Sequence, residues 1–260
     1  MKRLNIDGYI IDEQEKWIYD FFEVPYLTLA KLRAFLNDAG KDEIELAINC
    51  YGGDVFTAES MYSELRDYKG KSTSKIIGIS ASASSFLMLG TDRVIASPMA
   101  TVMMHNAQGG ANGDYRVMEH RASVLKQIDE IIRNAYEIKT GKSREELAKY
   151  MDKETWLTAQ DALNIGIIDE IDLKDGEKLS EIKQSAFISN KIAACLNPVK
   201  MQEMAAMLNK TSNEEIPPKE KPKEEPKSNE NRDESQPVSD NQREQFNKLT
   251  IKIHDYKEEN

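Results

Sequence analysis

Cysteine and histidine are scarce in this chain, with two and three respectively among 260 residues. Cys50 and Cys195 stand far apart without metal-ligand spacing, so neither a disulfide framework nor a thiolate metal site is expected. Three histidines are too few for a His-rich metal centre. No apolar run approaches the ~20 residues that a membrane helix requires. The start Met1-Lys2-Arg3-Leu4-Asn5-Ile6-Asp7 also lacks the long apolar core of a secretory signal, so a cytoplasmic protein is expected. Clusters of lysine and arginine are absent and the net charge is -10, which argues against nucleic acid as a partner. There is no Gly-x-x-x-x-Gly-Lys-Ser/Thr loop to bind ATP. Neither cofactor nor metal is expected.

What is present divides unevenly. A hydrophobic content of 40% can build a sizeable core, yet the mean hydropathy of -0.61 is polar for one compact domain. The excess polarity lies near the C-terminus. Five of the eight prolines fall between 217 and 237, and residues 211–240 contain no aromatic residue. A segment so poor in apolar groups cannot offset the entropy cost of ordering its backbone. The expectation is a folded domain over residues 1–190 and a largely disordered acidic tail rich in Pro, Glu and Lys over 191–260.

Within the folded part, strand-like and helix-like patterns alternate. Leu4 to Ile11 reads as a strand, Tyr26 to Leu36 as a helix, and Ile44 to Asn49 as a strand that enters the turn Cys50-Tyr51-Gly52-Gly53-Asp54. Val55 to Tyr68 reads as a helix capped by Asp54. Thr73 to Ile77, with Ile76 and Ile77 at its end, reads as a buried strand and gives way at Gly78-Ile79-Ser80-Ala81-Ser82-Ala83 to a second helix. Arg93 to Ala96 and Ala100 to Met104 are further short strands. A long helix follows from Asp114 to about Lys139, with a stripe of Val117, Val124, Ile128, Ile131 and Ala135, and Ser143-Arg144-Glu145-Glu146 opens a shorter one. A turn, a helix from Ala159 and a closing strand complete the pattern. Such alternation predicts an α/β fold with a mainly parallel sheet, whose ligands bind at the carboxyl ends of the strands. The long helix spans roughly 39 Å and is expected to project or to meet another subunit.

Serine at a strand-to-helix junction invites a chemical reading, because the first amides of a helix lack intrahelical partners and stabilise developing negative charge. Acyl transfer to a hydroxyl needs a base, a group that orients the base, and donors for the oxyanion. Ser82 lies at the junction, His105 ends a strand, and Gly52 and Gly53 offer amides unobstructed by side chains. An acidic residue near Trp156 completes the set. Ser80, Ser84 and Ser85 are rival hydroxyls, and small residues packing a helix tightly are the plainer explanation of the stretch. Cys50 reads as a packing residue, as does Trp156, and His120 and His254 as surface residues.

Four motifs in order carry a resemblance: Ile48-Asn49-Cys50-Tyr51-Gly52-Gly53, Gly78-Ile79-Ser80-Ala81-Ser82-Ala83, Val102-Met103-Met104-His105-Asn106, and Glu154-Thr155-Trp156-Leu157-Thr158-Ala159 through Gly166-Ile167-Ile168-Asp169. Over about residues 3–172 the chain resembles the ClpP family of serine peptidases, and within it the ClpP-like head maturation (prohead) proteases of tailed phages. The resemblance implies a ClpP/crotonase-type fold and a serine endopeptidase. It places the nucleophile on Ser82, the general base on His105, and the oxyanion donors on the amides of Gly53 and Ala83. Where the housekeeping subunit has an aspartate this chain has Glu154, with Asp152 as the alternative third member. It further implies homo-oligomeric rings met through the long helix, and capsid or scaffold proteins, with the chain's own tail, as substrates in the host cytoplasm. Two other readings stay open: a housekeeping Clp subunit that works with a separate ATPase, and a crotonase-fold scaffold protein whose triad is idle.

Overall fold

The computed structural model describes residues 1–179. The expected tail, the end of the expected domain, Cys195 and His254 lie outside the described residues.

The described chain is mixed α/β around one sheet. Its strands are β1 (Lys2–Ile10), β2 (Tyr26–Leu27), β3 (Ile44–Gly53), β4 (Ser72–Ala81), β5 (Arg93–Ala96), β6 (Thr101–Met104), β7 (Thr155–Thr158) and β8 (Glu170–Ile171). The main path runs β2-β1-β3-β4-β5-β8, every pairing in it parallel. β6 branches from the far end of β4, also parallel, through Ile79 to Ala81. Parallel neighbours end on the same side, so the carboxyl ends of β3, β4 and β6 lie along one edge, and Gly53, Ser82 and His105 stand at those ends.

Helices α1 (Lys16–Phe21), α2 (Leu29–Ala39), α3 (Val55–Asp67), α4 (Ala83–Leu87), α5 (Tyr115–Thr140), α6 (Arg144–Asp152) and α7 (Ala159–Ile165) supply the cover. Side-chain oxygens start most of them. Thr28 caps α2, Asp54 caps α3 and Asp114 caps α5, while Ser143 with Glu146 and Thr158 with Asp161 form reciprocal capping boxes. Ile6, Leu46, Ile48, Ile76, Val94, Val102 and Met104 from the strands pack with Leu32, Met61, Leu65, Leu87, Ile132 and Tyr136 from the helices in one core. None of the helices among the described residues is long and apolar enough to cross a membrane.

Several elements differ from the sequence reading. Tyr26 and Leu27 pair with β1 rather than opening a helix, because α2 begins only after its Thr28 cap. The stretch expected to be a turn before Ala159 is β7, antiparallel to β6 from Thr101↔Thr158 to Met104↔Thr155. Helix α1 carries no extended periodic pattern and was not legible. On α5 the buried positions are Ile128, Asp129, Ile132, Ala135 and Tyr136, whereas Val117 and Ile131 are exposed, so the core face is rotated from the expected stripe. In β4, Ile76 is fully buried but Ile77 is 41% exposed, since successive side chains point to opposite faces.

That difference gives a direct expectation. Ile76→Ala should lower stability by about 2–5 kcal/mol through the lost contacts and the cavity left behind. Ile77→Ala should stay within about 0.5 kcal/mol of the parent protein. Urea unfolding midpoints of the two variants compare them; equal losses would place both side chains in the core.

Candidate active site

Ser82 follows the last residue of β4 and precedes α4, with φ 53 and ψ -126. A non-glycine residue rarely occupies this region, and a turn that exposes a nucleophile above a sheet is one setting in which it persists. Its neighbours hold it there. The Ser82 N–H donates to the Met103 carbonyl at 3.0 Å, tying the turn to β6. The Ser82 carbonyl accepts from the Ser85 N–H at 2.9 Å and from Ser85 Oγ at 2.6 Å.

The serines around it are occupied otherwise. Ser80, Ser84 and Ser85 are fully buried. Ser80 Oγ and Ser84 Oγ share a hydrogen bond of 3.0 Å, and Ser85 Oγ lies 2.6 Å from the Tyr136 hydroxyl. Ser82 is only half-buried, and its Oγ lies 2.7 Å from His105 Nε2.

His105 directly follows β6. Burial lowers its pKa below the ordinary histidine value, while the negative charges of Glu154 and then Asp129 act in the opposite direction. The imidazole is therefore held largely neutral near neutral pH, the form that accepts a proton. Its other nitrogen, Nδ1, lies 3.3 Å from the side-chain amide of Gln108. The atom of Gln108 that faces Nδ1 is Nε2, an amide N–H that donates, so this contact is not an acceptor for the Nδ1 proton that a Ser82 hydroxyl donating to Nε2 requires.

The two acids near Trp156 occupy different surroundings. Glu154 is half-buried, adopts φ 48, and accepts from Trp156 Nε1 at 3.4 Å. Asp152 is exposed and accepts from Asn106 Nδ2 at 2.8 Å, bracing the residue next to His105. Of the two, Glu154 is the one whose charge acts on His105. Sequence reasoning passed over Gln108 and Asp129. Asp129 carried a signal, because it falls at helical spacing with Leu125, Ile132 and Tyr136, where an apolar residue is expected.

The glycine turn touches the same segment. Gly52 has φ +88, and a Cβ there would lie 2.6 Å from the Ala81 carbonyl oxygen and 2.8 Å from both the Ala83 nitrogen and the Ser82 Cβ. At Gly53, with φ +144, a Cβ would lie 2.0 Å from the Ile10 carbonyl oxygen. Both positions therefore require glycine for space as well as for backbone angle. Cys50, just before this turn, is buried, its Sγ accepts from the Gly52 N–H at 3.4 Å, and burial pushes its thiol up to about 11, far from a reactive thiolate. His120 is exposed and Trp156 half-buried. Among the described residues no group of three or more His, Cys, Asp or Glu is arranged to hold a metal ion.

A neutral imidazole against a half-exposed hydroxyl, beside a glycine turn and a helix start, can run nucleophilic acyl transfer. Comparison with known proteins agrees with that chemistry. A family model described as Clp protease matches residues 25–174. An ATP-dependent Clp protease proteolytic subunit of Dehalococcoides mccartyi is 30% identical over 151 residues, which cover 57% of this chain and 76% of that protein. One of Pleurastrum terricola is 30% identical over 129 residues, 49% of this chain and 66% of that protein.

Packing of the glycine turn against Ser82 sets an expectation for Gly52→Ala. The positive φ alone costs about 1–3 kcal/mol, and the contacts with Ala81, Ser82 and Ala83 force the turn away from the serine. A lowered melting temperature together with loss of Ser82 reactivity toward a fluorophosphonate is the expected result. Unchanged melting and reactivity would mean that the turn stands clear of the serine.

Proposed function

Because the chain belongs to the Clp protease family, a family of peptidases, we propose that it is a serine endopeptidase in which Ser82 is the nucleophile and His105 the general base. The observation that carries this reading is the 2.7 Å contact between Ser82 Oγ and His105 Nε2 at a strand-to-helix turn. As Ser82 Oγ attacks the peptide carbonyl, its proton passes to Nε2 and the carbonyl oxygen gains negative charge. The amides of Gly53 and Ala83 stabilise that oxygen. His105 then gives its proton to the departing amine, leaving an acyl-Ser82 ester. Water, deprotonated by His105, releases the acid and restores the hydroxyl. Glu154, whose charge favours the imidazolium, is the acid that supports His105 in this scheme, while Asp152 acts on Asn106.

For the biological setting we infer a phage or prophage head maturation protease that cleaves capsid or scaffold proteins. The resemblance of the four motifs supports it, as does the acidic composition of residues 191–260, rich in Pro, Glu and Lys. Assembly into rings belongs to the same reading, and the exposed Val117, Met118, Ile131 and Ile138 on α5 support it. A housekeeping role beside an ATPase is the second reading, favoured by the names of the relatives, ATP-dependent Clp protease proteolytic subunits. Coexpression with a capsid protein, followed by intact mass spectrometry, separates the two. Cleavage of the capsid protein or the tail by wild type, but not by Ser82→Ala, supports maturation. A strict need for an added Clp ATPase favours the housekeeping role.

Two expectations follow for the chemistry. Ser82→Ala should fold normally and lose up to about 10⁶-fold in turnover of a peptide substrate; retained turnover with loss in Ser84→Ala would move the nucleophile. The active imidazole is the deprotonated one, and burial lowers the pKa of His105, so the acid limb of the rate profile should have its midpoint below 6.5, the value of an unperturbed histidine. A midpoint above that value would mean that the acids beside His105 outweigh its burial.

A further inference from the structure

Two buried polar side chains on α5 are not used by the chemistry above, and both reach the segments that carry it. Asp129, 7% exposed, accepts a hydrogen bond of 2.7 Å from the Ala107 N–H through Oδ1, two residues beyond His105. Tyr136, 1% exposed, places its hydroxyl 2.6 Å from Ser85 Oγ. The Ser85 hydroxyl gives its proton to the Ser82 carbonyl at 2.6 Å, so the Tyr136 hydroxyl is the donor to Ser85. A buried carboxylate and a buried phenol cost free energy unless their hydrogen bonds are made, so each holds its partner firmly.

The spacing of the pair makes them act together. Positions 129 and 136 are seven residues apart, so they face the same side of α5 about 10 Å apart along its axis. One reaches the strand end that presents His105, the other the turn that presents Ser82. On the sheet side the same two segments are joined by the parallel pairing of β4 with β6 from Ile79↔Thr101 to Ala81↔Met103 and by the Ser82 N–H to Met103 carbonyl bond. We propose that Asp129 and Tyr136 are positioning residues which, from one rigid helix, set the approach of Ser82 Oγ to His105 Nε2. This rests on the reading of Ser82 and His105 as nucleophile and base.

Asp129 has a second, electrostatic consequence. It is faced by Arg133 from its own helix, by Asp152 from α6 and by His105 from the end of β6. His105 in turn is faced by Ser82, Gln108, Glu154 and Asp129. Removing the Asp129 charge while keeping its oxygen takes away one group that favours the imidazolium, so the His105 pKa falls further.

The test is the rate at which a fluorophosphonate reacts with the full-length protein, followed from acid to neutral pH, in wild type, Asp129→Asn, Asp129→Leu, Tyr136→Phe and Ser82→Ala. Asp129→Leu should react about 10- to 100-fold more slowly at the plateau, the scale of a small misplacement of reacting groups. Asp129→Asn keeps an acceptor for Ala107, so its plateau should match wild type while its acid limb moves to lower pH, a shift that a purely structural role would not produce. Tyr136→Phe should lose about fivefold, the weight of one hydrogen bond. Wild-type rates in Asp129→Leu and Tyr136→Phe would overturn the proposal. Should Asp129→Leu fail to fold, an unmoved acid limb in Asp129→Asn together with an unchanged rate in Tyr136→Phe would do the same. Reaction of Ser82→Ala at the wild-type rate would instead overturn the assignment of the nucleophile, and the positioning role with it.

Discussion

The left-handed backbone of Ser82 is the constraint on which the site depends. A residue with a Cβ held at φ 53 stores about 1–3 kcal/mol of strain and persists only where its surroundings fix it. Here the Met103 carbonyl takes its N–H, and Ser85 supplies two donors to its carbonyl. The absence of a side chain at Gly52 leaves room for the turn to close against Ala81, Ser82 and Ala83. In this conformation Ser82 Oγ lies 2.7 Å from His105 Nε2.

The parallel sheet makes this arrangement possible. β3, β4 and β6 end on one edge, so a glycine turn, a serine turn and a histidine that are distant in sequence meet there without long loops. β7 closes the far side of β6 and, through Thr155↔Met104, brings Glu154 to the level of His105. Buried residues on α5 and exposed residues on α6 then brace the segment after His105, through Asp129 to Ala107 and Asp152 to Asn106. The charge balance around the imidazole follows from the same packing: burial favours the neutral ring, and nearby carboxylates moderate the effect without reversing it.

The central strands, α3, α5, the Ser143 capping box and the serine turn were legible in the sequence because each rests on local chemistry: alternation, a capping oxygen, a glycine pair. What was not legible depends on distant partners. Thr155 to Thr158 is a strand only because β6 lies beside it, and Tyr26 and Leu27 extend the sheet only because β1 is there. Ile76 and Ile77 lie on opposite faces of β4, and two adjacent isoleucines do not state which of them faces the core. For the site, Ser82 Oγ lies 2.7 Å from His105 Nε2, and the surroundings of the imidazole differ from a simple acid contact. Gln108 stands beside Nδ1, and Asp129 occupies a core-facing position of α5 that helical spacing alone assigns to an apolar residue.

The most direct test of the account is to react the purified full-length protein with a fluorophosphonate, digest it, and locate the adduct by peptide mass spectrometry. A single adduct on Ser82, lost when His105 is replaced by alanine, is the result expected of a hydroxyl activated by the imidazole beside it. No adduct, or an adduct on Ser80, Ser84 or Ser85 with Ser82 unmodified, would contradict the reading of this strand-to-helix turn as the nucleophile of a serine peptidase.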